Sequence, residues 1–486
     1  MPDLHRAGIV VASNRGPVSF QQRDDGRLVL QRGGGGLVSG LSAAARGGEA
    51  VWVCAALSEA DRSAARLAPD GRLDLAGHDT AEVAVRMLEV DRGTFHRAYN
   101  AVANSTLWFV HHMLYDTARQ PSFDATFRKE WESYVAYNQL FAAGIAEVAA
   151  PGATVLVQDY HLSLAPLLLR RLRGDLRIGH FSHTPWAPPD YFRMLPDDIA
   201  ASLLEGILGA DRAGFLAERW AAAFLACCRD VLGASTDPDT GTVWYQGRGI
   251  RTAVHPLGTD SAALRSRAAQ PDVDTRVRAL RSVVGDRQLV VRVDRTELSK
   301  NIVRGLAAYR ELLRTRPEWR GRVVHLAFAY PSRHDLPEYR EYTADVQRIA
   351  REIEDEFGTS DWQPLLLAVD DDFPRSLAAF RLADVLVVNP IRDGMNLVAK
   401  EGPVVSERGC ALVLSREAGA VADLGADALV VDPFDVSGTA EALHRALAMP
   451  VPERQARCAR LAAAAGALPP QQWLADQLTA LGTDGG

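Results

Sequence analysis

The sequence predicts an α/β protein made of two Rossmann-like domains that face a central cleft. Short valine-rich segments alternate with amphipathic helical patterns along the chain, and the alternation restarts after residue 258. Polar or charged residues directly follow several of these segments, as at Asp159, His183 and Asp393. Because ligands bind at the carboxyl ends of parallel strands, these positions predict ligand-contacting residues in both halves.

Length, charge and apolar pattern exclude several classes of protein. A chain of 486 residues is too long for one small core and suggests two domains, or three at most. The formal net charge of −7, with no long basic run, argues against a nucleic-acid surface. No apolar run reaches membrane-spanning length, and the first residues lack the basic and apolar regions of a signal peptide. We therefore expect a cytoplasmic protein that binds neither nucleic acid nor membranes, and an assembly of identical subunits is left open.

The boundary between the two domains is predicted near Gly258, with an N-terminal domain of residues 1–258 and a C-terminal domain of residues 259–469. A short helix at about 470–486 is expected to follow and to pack back on the N-terminal domain. The five cysteines are odd in number and scattered. Buried free thiols are therefore a better interpretation than disulfides or zinc ligands.

In the N-terminal half, short apolar runs predict strands at 9–13, 51–54, 107–110, 154–157, 178–182 and 251–254. Four glycines, from Gly33 to Gly36, follow the first strand and precede a helical pattern. Such a run is either a flexible linker or a loop that cradles a phosphate, and its position favours the cradle. The stretch 210–228 has the apolar spacing of an amphipathic helix.

Two predicted strand ends in this half carry polar side chains: Asp159 follows one strand and His183 follows the next. A lone histidine at such a place is usually only a hydrogen-bonded polar group, but two equivalent strand ends favour a site. Tyr99 and Trp108 stand around the predicted strand 107–110. Large aromatic residues are more often core than ligand contacts, so these two alone decide little.

In the C-terminal half, strands are predicted at 289–293, 323–329, 365–369, 383–388, 411–415 and 428–431. Arg295 and Lys300 flank the turn after the first of them, a spacing that suits a diphosphate clamp. A pair of solvated surface side chains is the alternative. The consecutive carboxylates from Asp370 to Asp372 cannot all face one ion, so a turn and a helix cap explain them better than a metal site.

The segment 389–401 joins the predicted strand 383–388 to the start of a helix. A strand, a tight turn and a helix aim backbone N–H groups and a positive dipole end at an anion. Gly394 has no Cβ and lets the backbone approach a ligand, while Asp393 and Glu401 are carboxylates that suit hydroxyl groups. The alternative is an ordinary connection in which Asp393 caps a helix.

The residues assembled so far resemble the trehalose-6-phosphate synthases, retaining glycosyltransferases with the two-domain GT-B fold. The resemblance runs from about Val10 to about Ala440, and its most specific part is Arg-Asp-Gly-Met-Asn-Leu-Val-Ala-Lys-Glu at 392–401. It implies that the N-terminal domain binds the acceptor and that the C-terminal domain binds the nucleotide sugar. The other matching residues are Arg15, Gly36, Tyr99, Trp108, Asp159, His183, Arg295, Lys300 and Arg333.

The resemblance implies a role for each matching residue. The 6-phosphate of glucose 6-phosphate would contact Arg15, Tyr99, Trp108 and Arg333. The donor diphosphate would contact Gly36, Arg295 and Lys300. The donor sugar and ribose would contact Asp393, the backbone of Gly394, Met395, Asn396 and Leu397, and Glu401. The reacting centre, on the acceptor side, would be lined by Asp159 and His183.

The implied reaction transfers glucose from a nucleotide sugar to the anomeric hydroxyl of glucose 6-phosphate with retention of configuration. Arg295 and Lys300 would act catalytically, because fixed cations stabilise the charge that develops on the departing diphosphate. No metal or other cofactor is then required, and the expected partners are the two small-molecule substrates. Retention usually indicates a carboxylate nucleophile. The family is thought to use front-face attack instead, so no nucleophile is assigned.

Two positions depart from the family pattern. Ala55 replaces the second aromatic residue of a Trp-Phe-Gly-Trp segment, and Asn301 replaces a glycine after the basic pair. Similar changes occur in pseudo-glycosyltransferases that join cyclitols, but those proteins vary the Arg-Asp-Gly-Met-Asn signature, which is intact here. A non-catalytic sugar-phosphate sensor is a second alternative, disfavoured because a sensor needs no intact donor site.

GDP-glucose is the expected donor in preference to UDP-glucose. The base is expected near the loop 370–373, whose carboxylates accept hydrogen bonds from the N1–H and amino groups of guanine. Uracil offers one ring N–H beside two carbonyls that carboxylates would repel. The sequence also resembles the synthases of GC-rich actinobacteria, several of which look GDP-glucose-dependent.

Overall fold

The computed structural model describes residues 6–32, 50–74, 80, 84–333 and 336–482. These residues divide into two compact units. Unit 1 contains the described residues up to Leu257 together with the C-terminal stretch that begins at Pro470, and unit 2 runs from Gly258 to Pro469. The predicted phosphate cradle from Gly33 to Gly36 lies outside the described residues.

Unit 1 is built on a sheet of nine described strands in the order β5-β4-β1-β6-β7-β8-β11-β10-β9, with β2 and β3 as a separate hairpin. The strands are β1 (Ala7–Ser13), β2 (Val18–Gln22), β3 (Leu28–Arg32), β4 (Ala50–Ala55), β5 (Ala84–Leu88), β6 (Ala149–Gln158), β7 (Arg177–Ser182), β8 (Arg212–Phe215), β9 (Ser235–Asp237), β10 (Thr242–Tyr245) and β11 (Arg248–Val254). The pairs from β5 through β11 are parallel, and β10 and β9 complete the sheet antiparallel.

Helices of unit 1 pack against this sheet. Their bounds are Glu59–Leu67, Arg92–His96, Arg97–Leu107 (π-helical), Trp108–His112, Ala125–Val148, Ala165–Leu172, Pro189–Phe192, Asp197–Leu208, Glu218–Leu232 and Pro470–Gly482. In the last of these, buried Trp473 packs edge-on against Phe181 of β7 and donates a hydrogen bond to the His255 carbonyl at 3.1 Å. The C-terminal helix therefore contributes to the core of unit 1.

Two sequence predictions in unit 1 are wrong. Residues 107–110 form no strand and lie in the helical run that ends at His112. A run of four apolar residues fits a strand or a buried helix face equally well, and Trp108 and Val110 here face the core from a helix. The stretch 210–228 is not one helix either. Its first part is β8, whose buried apolar residues happen to continue the apolar spacing of the helix after it.

Unit 2 contains a parallel sheet in the order β14-β13-β12-β15-β16-β17. The strands are β12 (Gln288–Arg295), β13 (Val323–Tyr330), β14 (Leu365–Ala368), β15 (Val385–Val388), β16 (Ala411–Ser415) and β17 (Leu429–Val431). The helices are Ser261–Ala268, Pro271–Val284, Ile302–Thr315, Pro337–Phe357, Phe373–Leu382, Val398–Val405, Val421–Leu424, Val436–Ala448 and Val451–Ala465. Counted within the unit, this strand order is that of the doubly wound dinucleotide-binding fold.

The prediction of two Rossmann-like α/β units is confirmed by these sheets. Each sheet has a topological switch point, where the chain moves from one side of its first strand to the other: between β1 and β6 in unit 1, and between β12 and β15 in unit 2. Ligands bind in the crevice outside the carboxyl ends of the strands at such points. All five cysteines lie in the described part of the chain and are buried free thiols, as predicted. A membrane-spanning helix is absent from the described part.

Candidate active site

The switch point of unit 2 brings together the two segments that the sequence analysis singled out. Lys300 ends a 3-10 turn, Leu298–Lys300, that follows β12, and Asp393 lies in the loop that follows β15. Lys300 Nζ lies 2.6 Å from Asp393 Oδ2. A backbone hydrogen bond of 2.8 Å from Ile391 N to Ser299 O also joins the two loops. The predicted basic turn and the signature segment therefore meet.

Lys300 keeps its positive charge in this position. Burial alone would lower the pKa of its ammonium group, but the carboxylates of Asp393, Asp294 and Glu297 outweigh burial and raise the pKa. The side chains of Lys300 and Asp393 each keep 16% of their surface exposed, so a ligand can reach both. A fixed cation suits an anionic ligand group, and the carboxylate beside it suits a hydroxyl group.

A buried ion pair fixes the turn that carries Lys300. Arg292 of β12 is fully buried and donates two hydrogen bonds, of 3.1 and 2.8 Å, to Asp294 Oδ2. The same guanidinium donates to the backbone carbonyl of Lys300 at 3.0 Å. Gly305 leaves it room, because a Cβ at that position would lie 2.2 Å from an Arg292 nitrogen. Burial is the main cause of the raised pKa of Asp294, opposed in part by Arg292 and Lys300.

Asp393 is held by its own loop and does not cap a helix. Its Oδ2 accepts a hydrogen bond from Asn396 Nδ2 at 3.0 Å, and its backbone N–H donates to the Glu417 carbonyl at 3.2 Å. Gly419 packs against the loop so tightly that a Cβ there would lie 1.9 Å from the Gly394 carbonyl oxygen. The alternative interpretation of Asp393 as an N-cap is therefore wrong, and the loop presents its carboxylate to Lys300.

The signature segment turns into a helix directly after Asp393. Asn396 has a φ of 77°, a left-handed conformation that asparagine tolerates, and Leu397 is the N-cap of the helix Val398–Val405. Met395 is buried and anchors the loop. Glu401 lies in the first turn of the helix, where burial raises the pKa of its carboxyl to about 6. The start of this helix and the carboxyl group of Glu401 thus lie beside the loop that holds Asp393.

Arg295 ends β12 and Arg333 follows the neighbouring strand β13, and both lie near the buried carboxylate of Glu297. Glu297 is fully buried, and its Oε1 lies 3.2 Å from Arg295 Nη1 and accepts a hydrogen bond from the Ser332 hydroxyl at 3.0 Å. Burial alone would raise the pKa of Glu297, but the positive charges of Arg295, Arg333 and Lys300 outweigh burial and lower it. The predicted basic residues of unit 2 thus form one electrostatic cluster.

The acidic run after β14 serves mainly as a helix cap. Asp372 is the N-cap of the helix Phe373–Leu382, accepting from Arg375 N at 2.9 Å, and it also pairs with Arg276 at 3.1 Å. The prediction of a turn and cap is confirmed for this residue. Asp370 and Asp371 are exposed at the carboxyl end of β14.

In unit 1, Asp159 and His183 follow the adjacent strands β6 and β7 and contact each other. Asp159 Oδ1 accepts a hydrogen bond from the backbone N–H of His183 at 3.1 Å. Asp159 has a φ of 71°, a conformation that residues with side chains rarely adopt and that is found most often at functional sites. His183 Nε2 lies 2.8 Å from Gln158 Oε1. Burial, and secondarily the neighbouring His180, lowers the pKa of His183 to about 3, so its ring is neutral.

Tyr99 and Trp108 pack against the two residues that follow Asp159. The Tyr99 ring stacks on His161 with centroids 5.5 Å apart, and the Trp108 ring lies 5.9 Å from the Tyr160 ring. Both aromatic residues belong to the helical run that includes the π-helical segment. Such segments are rare and occur frequently at functional sites. The aromatic pair and Asp159 therefore belong to one region of unit 1.

The loop that follows β1 carries Arg15, whose side chain is exposed. This loop lies near the end of β6, because β1 and β6 are paired neighbours in the sheet. Asn14 holds this loop, since its Oδ1 accepts from the Tyr137 hydroxyl at 2.6 Å and its carbonyl accepts from Ala55 N at 3.2 Å. Ala55, which departs from the family pattern, is therefore a direct neighbour of the Arg15 loop. Gly36 lies outside the described residues.

Several residues of these clusters were not identified from the sequence. They are Gln158, Arg292 and Glu297. A signal existed for Arg292, because a charged residue inside an otherwise apolar strand requires a buried partner. Nothing in the sequence distinguishes Glu297 from a solvated loop carboxylate, since its role depends on burial.

Comparison with known proteins identifies relatives of the whole chain. Residues 7–483 match the family model described as glycosyltransferase family 20. A trehalose-6-phosphate synthase of Mycobacterium avium is 34% identical over 98% of this chain and 95% of that protein. A bifunctional trehalose-6-phosphate synthase/phosphatase of Thermoproteus tenax is 33% identical over 94% of this chain, which spans 60% of that protein.

The fold also resembles solved structures over nearly its full length. One is an alpha,alpha-trehalose-phosphate synthase (UDP-forming) from Burkholderia xenovorans in complex with glucose-6-phosphate. The TM-score is 0.83 and the sequence identity 27%, over 98% of this chain and 99% of that one.

Proposed function

The chain belongs to glycosyltransferase family 20, and from this membership we propose that it catalyses trehalose 6-phosphate synthesis. The fold is GT-B, with two Rossmann-like units. The reaction would transfer glucose from a nucleotide sugar to the anomeric hydroxyl of glucose 6-phosphate and retain the configuration at the transferred carbon. The observation that carries the proposal is the Lys300–Asp393 pair at the switch point of unit 2.

Unit 2 would bind the nucleotide sugar. Arg295 and Lys300 would contact the diphosphate, and the raised pKa of Lys300 keeps it cationic while the leaving group gains negative charge. Asp393 would accept hydrogen bonds from donor-sugar hydroxyl groups, and the backbone from Gly394 to Leu397 would contact the same sugar. Glu401 would bind the ribose. The contacts that hold this loop in place support these roles, because a preorganised site needs no rearrangement when charge develops.

Unit 1 would bind glucose 6-phosphate. Its contacts would be Arg15, Tyr99, Trp108 and Arg333, and Asp159 and His183 would line the reacting centre. The glucose-6-phosphate complex of the similar Burkholderia xenovorans protein supports this acceptor. A neutral His183 can donate one hydrogen bond and accept one, but it brings no charge to the reacting centre.

The reaction would proceed without a protein nucleophile or a metal. A departing diphosphate oxygen would take the proton from the acceptor hydroxyl as the new glycosidic bond forms on the same face. The cations Arg295 and Lys300 would supply the charge stabilisation that a metal ion supplies in other transferases.

We propose GDP-glucose as the preferred donor. Asp372 caps a helix and pairs with Arg276. The neighbouring Asp370 and Asp371 are exposed and would accept the hydrogen bonds from a guanine. The Burkholderia xenovorans protein is named UDP-forming, so UDP-glucose is the competing donor. A cytoplasmic location and an assembly of identical subunits remain predictions.

A panel of donors and acceptors tests the proposal. Purified protein is incubated with GDP-glucose, UDP-glucose or ADP-glucose, each with glucose 6-phosphate, a cyclitol phosphate or no acceptor, and nucleoside diphosphate release is measured. We expect release that depends on glucose 6-phosphate, with the largest specificity constant for GDP-glucose. A larger constant for UDP-glucose overturns the donor assignment, and release only with a cyclitol overturns the function.

A further inference from the structure

Glu297 is a fully buried carboxylate for which the roles assigned so far give no reason. A buried carboxylate destabilises a protein unless charges and hydrogen bonds compensate it. Oε1 has two partners, the Ser332 hydroxyl at 3.0 Å and Arg295 Nη1 at 3.2 Å. Oε2 is buried and has no hydrogen-bond partner among the described residues. Hydrogen bonds alone therefore do not explain why this position carries a charge.

The compensation comes from cations that the proposed function assigns to phosphate groups. Arg295, Arg333 and Lys300 all lower the pKa of Glu297 by their positive charge. The Arg295 side chain is 57% exposed while Glu297 is completely buried, so the guanidinium contacts the carboxylate from the side that faces solvent. Its other nitrogens remain accessible to a ligand.

The backbone of Glu297 ties the same groups together. Its N–H donates to the Arg295 carbonyl at 2.7 Å, and its carbonyl accepts from the Lys300 N–H at 3.0 Å. Through Ser332, its side chain also reaches the residue that precedes Arg333. Glu297 therefore contacts the segments that carry all the basic residues of the cluster.

The Arg333 side chain also contacts Tyr339. Its Nη1 donates to the Tyr339 hydroxyl at 2.8 Å, and its guanidinium carbon lies 5.6 Å from the centre of the Tyr339 ring. Its backbone φ is 48°, a conformation that a residue with a side chain adopts only when its surroundings impose it. The Arg333 side chain is thus held by Tyr339, and the residue before it, Ser332, is held by Glu297.

We propose that Glu297 is a positioning residue whose buried carboxylate holds the guanidinium groups of Arg295 and Arg333 ready for the phosphate groups of the donor and the acceptor. This inference rests on the proposed function. Arginine side chains have many rotamers, and ordering them before a ligand arrives removes part of the entropic cost of binding. Glu297 would act through the two arginines and would not touch either substrate.

Glu297→Gln tests the proposal, because glutamine keeps the size and the hydrogen bond to Ser332 but removes the charge. We expect KM for glucose 6-phosphate and KM for the donor each to rise about tenfold. Glu297→Asp keeps the charge and is expected to have a smaller effect than Glu297→Gln. Glu441→Gln, an exposed glutamate of unit 2 that pairs with Arg316, is the matched control and should leave both constants unchanged.

Double variants separate positioning from a general structural effect. In an Arg333→Ala background, Glu297→Gln should no longer raise KM for glucose 6-phosphate but should still raise KM for the donor. In an Arg295→Ala background, the pattern should be reversed. Additive effects in both backgrounds, or wild-type KM values in Glu297→Gln, would overturn the proposal.

Binding of inorganic pyrophosphate, measured by calorimetry, distinguishes this inference from the proposed function. Pyrophosphate binding needs the cation cluster but no turnover. We expect Glu297→Gln to weaken this binding about tenfold in an otherwise wild-type protein. In a protein that already carries Arg295→Ala, we expect Glu297→Gln to have no further effect on it. Equal weakening in both proteins would overturn the inference. A wild-type protein that transfers no glucose would overturn the function, and the pyrophosphate result would still decide the role of Glu297. If Glu297→Gln does not fold, the same comparison is made with Glu297→Asp, whose side chain is one methylene group shorter and withdraws the carboxylate from Arg295. We then expect a smaller weakening of pyrophosphate binding that disappears with Arg295→Ala, and equal weakening in both proteins would overturn the proposal.

Discussion

Lys300 Nζ and Asp393 Oδ2 lie 2.6 Å apart although the two residues are 93 positions apart in the chain. The contact joins the loop after β12 to the loop after β15, which are the two strands that flank the switch point of unit 2. A cation and a carboxylate are thereby held together where an α/β sheet binds its ligand.

Lys300→Ala should lower kcat about a hundredfold or more, because losing one group that stabilises a developing charge costs roughly 3 kcal/mol. The fold should persist, as judged by an unchanged circular dichroism spectrum. Lys129→Ala, which alters an exposed lysine of the helix Ala125–Val148, is the matched control and should leave kcat unchanged. Near-normal turnover by Lys300→Ala would rule out its assignment to the leaving diphosphate.

Arg333→Ala should affect one substrate more than the other. Its guanidinium is assigned to the phosphate of glucose 6-phosphate, so KM for that substrate should rise by roughly ten- to a hundredfold, since a hydrogen bond to a charged group contributes about 1.5–3 kcal/mol. KM for the nucleotide sugar should change much less. Steady-state kinetics with each substrate varied in turn measures both constants, and Arg278→Ala, an exposed arginine of unit 2, is the control. Equal increases for both substrates would contradict the assignment.

Glu401→Gln should stabilise the protein at neutral pH while it weakens donor binding. Burial raises the pKa of Glu401 from 4.5 to about 6, so on raising the pH the unfolded chain loses this proton before the folded chain does. The free energy of unfolding therefore falls as pH rises through this interval, by about 2 kcal/mol in all. Glutamine has no proton to lose.

The melting temperatures of wild type and Glu401→Gln, compared at about pH 4 and about pH 8, measure this effect. The variant should melt higher than wild type at the upper pH, and the difference should shrink at the lower pH, where both folded and unfolded Glu401 are protonated. A difference that is the same at both pH values would mean that the Glu401 carboxyl does not titrate as stated.

Asn301→Ala should destabilise the protein more than Asn301→Gly. Asn301 has a φ of 57°, and its buried Nδ2 donates to the carbonyls of Asn389 and Pro433 at 3.0 and 2.7 Å. Both variants lose these hydrogen bonds, each contributing about 1 kcal/mol. Alanine adds the cost of a left-handed conformation, about 1 kcal/mol, which glycine avoids. Denaturant unfolding measures the order, and a glycine variant less stable than the alanine variant would contradict it.

Sequence patterns predicted all six strands of the unit 2 sheet, but in the unit 1 sheet they found β1, β4, β6, β7 and β11 and missed β5, β8, β9 and β10. They also failed where apolar residues fit two structures. Val51 to Cys54 and Ile178 to Ser182 are buried throughout in parallel strands, which show no alternation of apolar and polar residues because both of their faces are covered. The run 107–110 is equally apolar, yet it belongs to a helix, because its neighbours continue a helical segment that four residues cannot reveal.

The candidate site could be predicted only as far as residue types and spacing reach. Lys300 and Asp393 were both identified, but their contact depends on the pairing of β12 with β15, which follows from the sheet order. Asn301 stands where the family pattern has a glycine. Its backbone is left-handed, a conformation that glycine adopts readily, so the substitution does not require a different backbone. Glu297 was missed because the burial of a carboxylate is a property of the folded chain.

The product of the complete reaction tests the central claim most directly. Purified protein is incubated with GDP-glucose and glucose 6-phosphate labelled with carbon-13 at its anomeric carbon, and the product is analysed by nuclear magnetic resonance. We predict a disaccharide phosphate in which both anomeric carbons are α-linked to one oxygen, formed in equal amount with GDP. Release of GDP with free glucose and no disaccharide, or a β-linked product, would contradict the account.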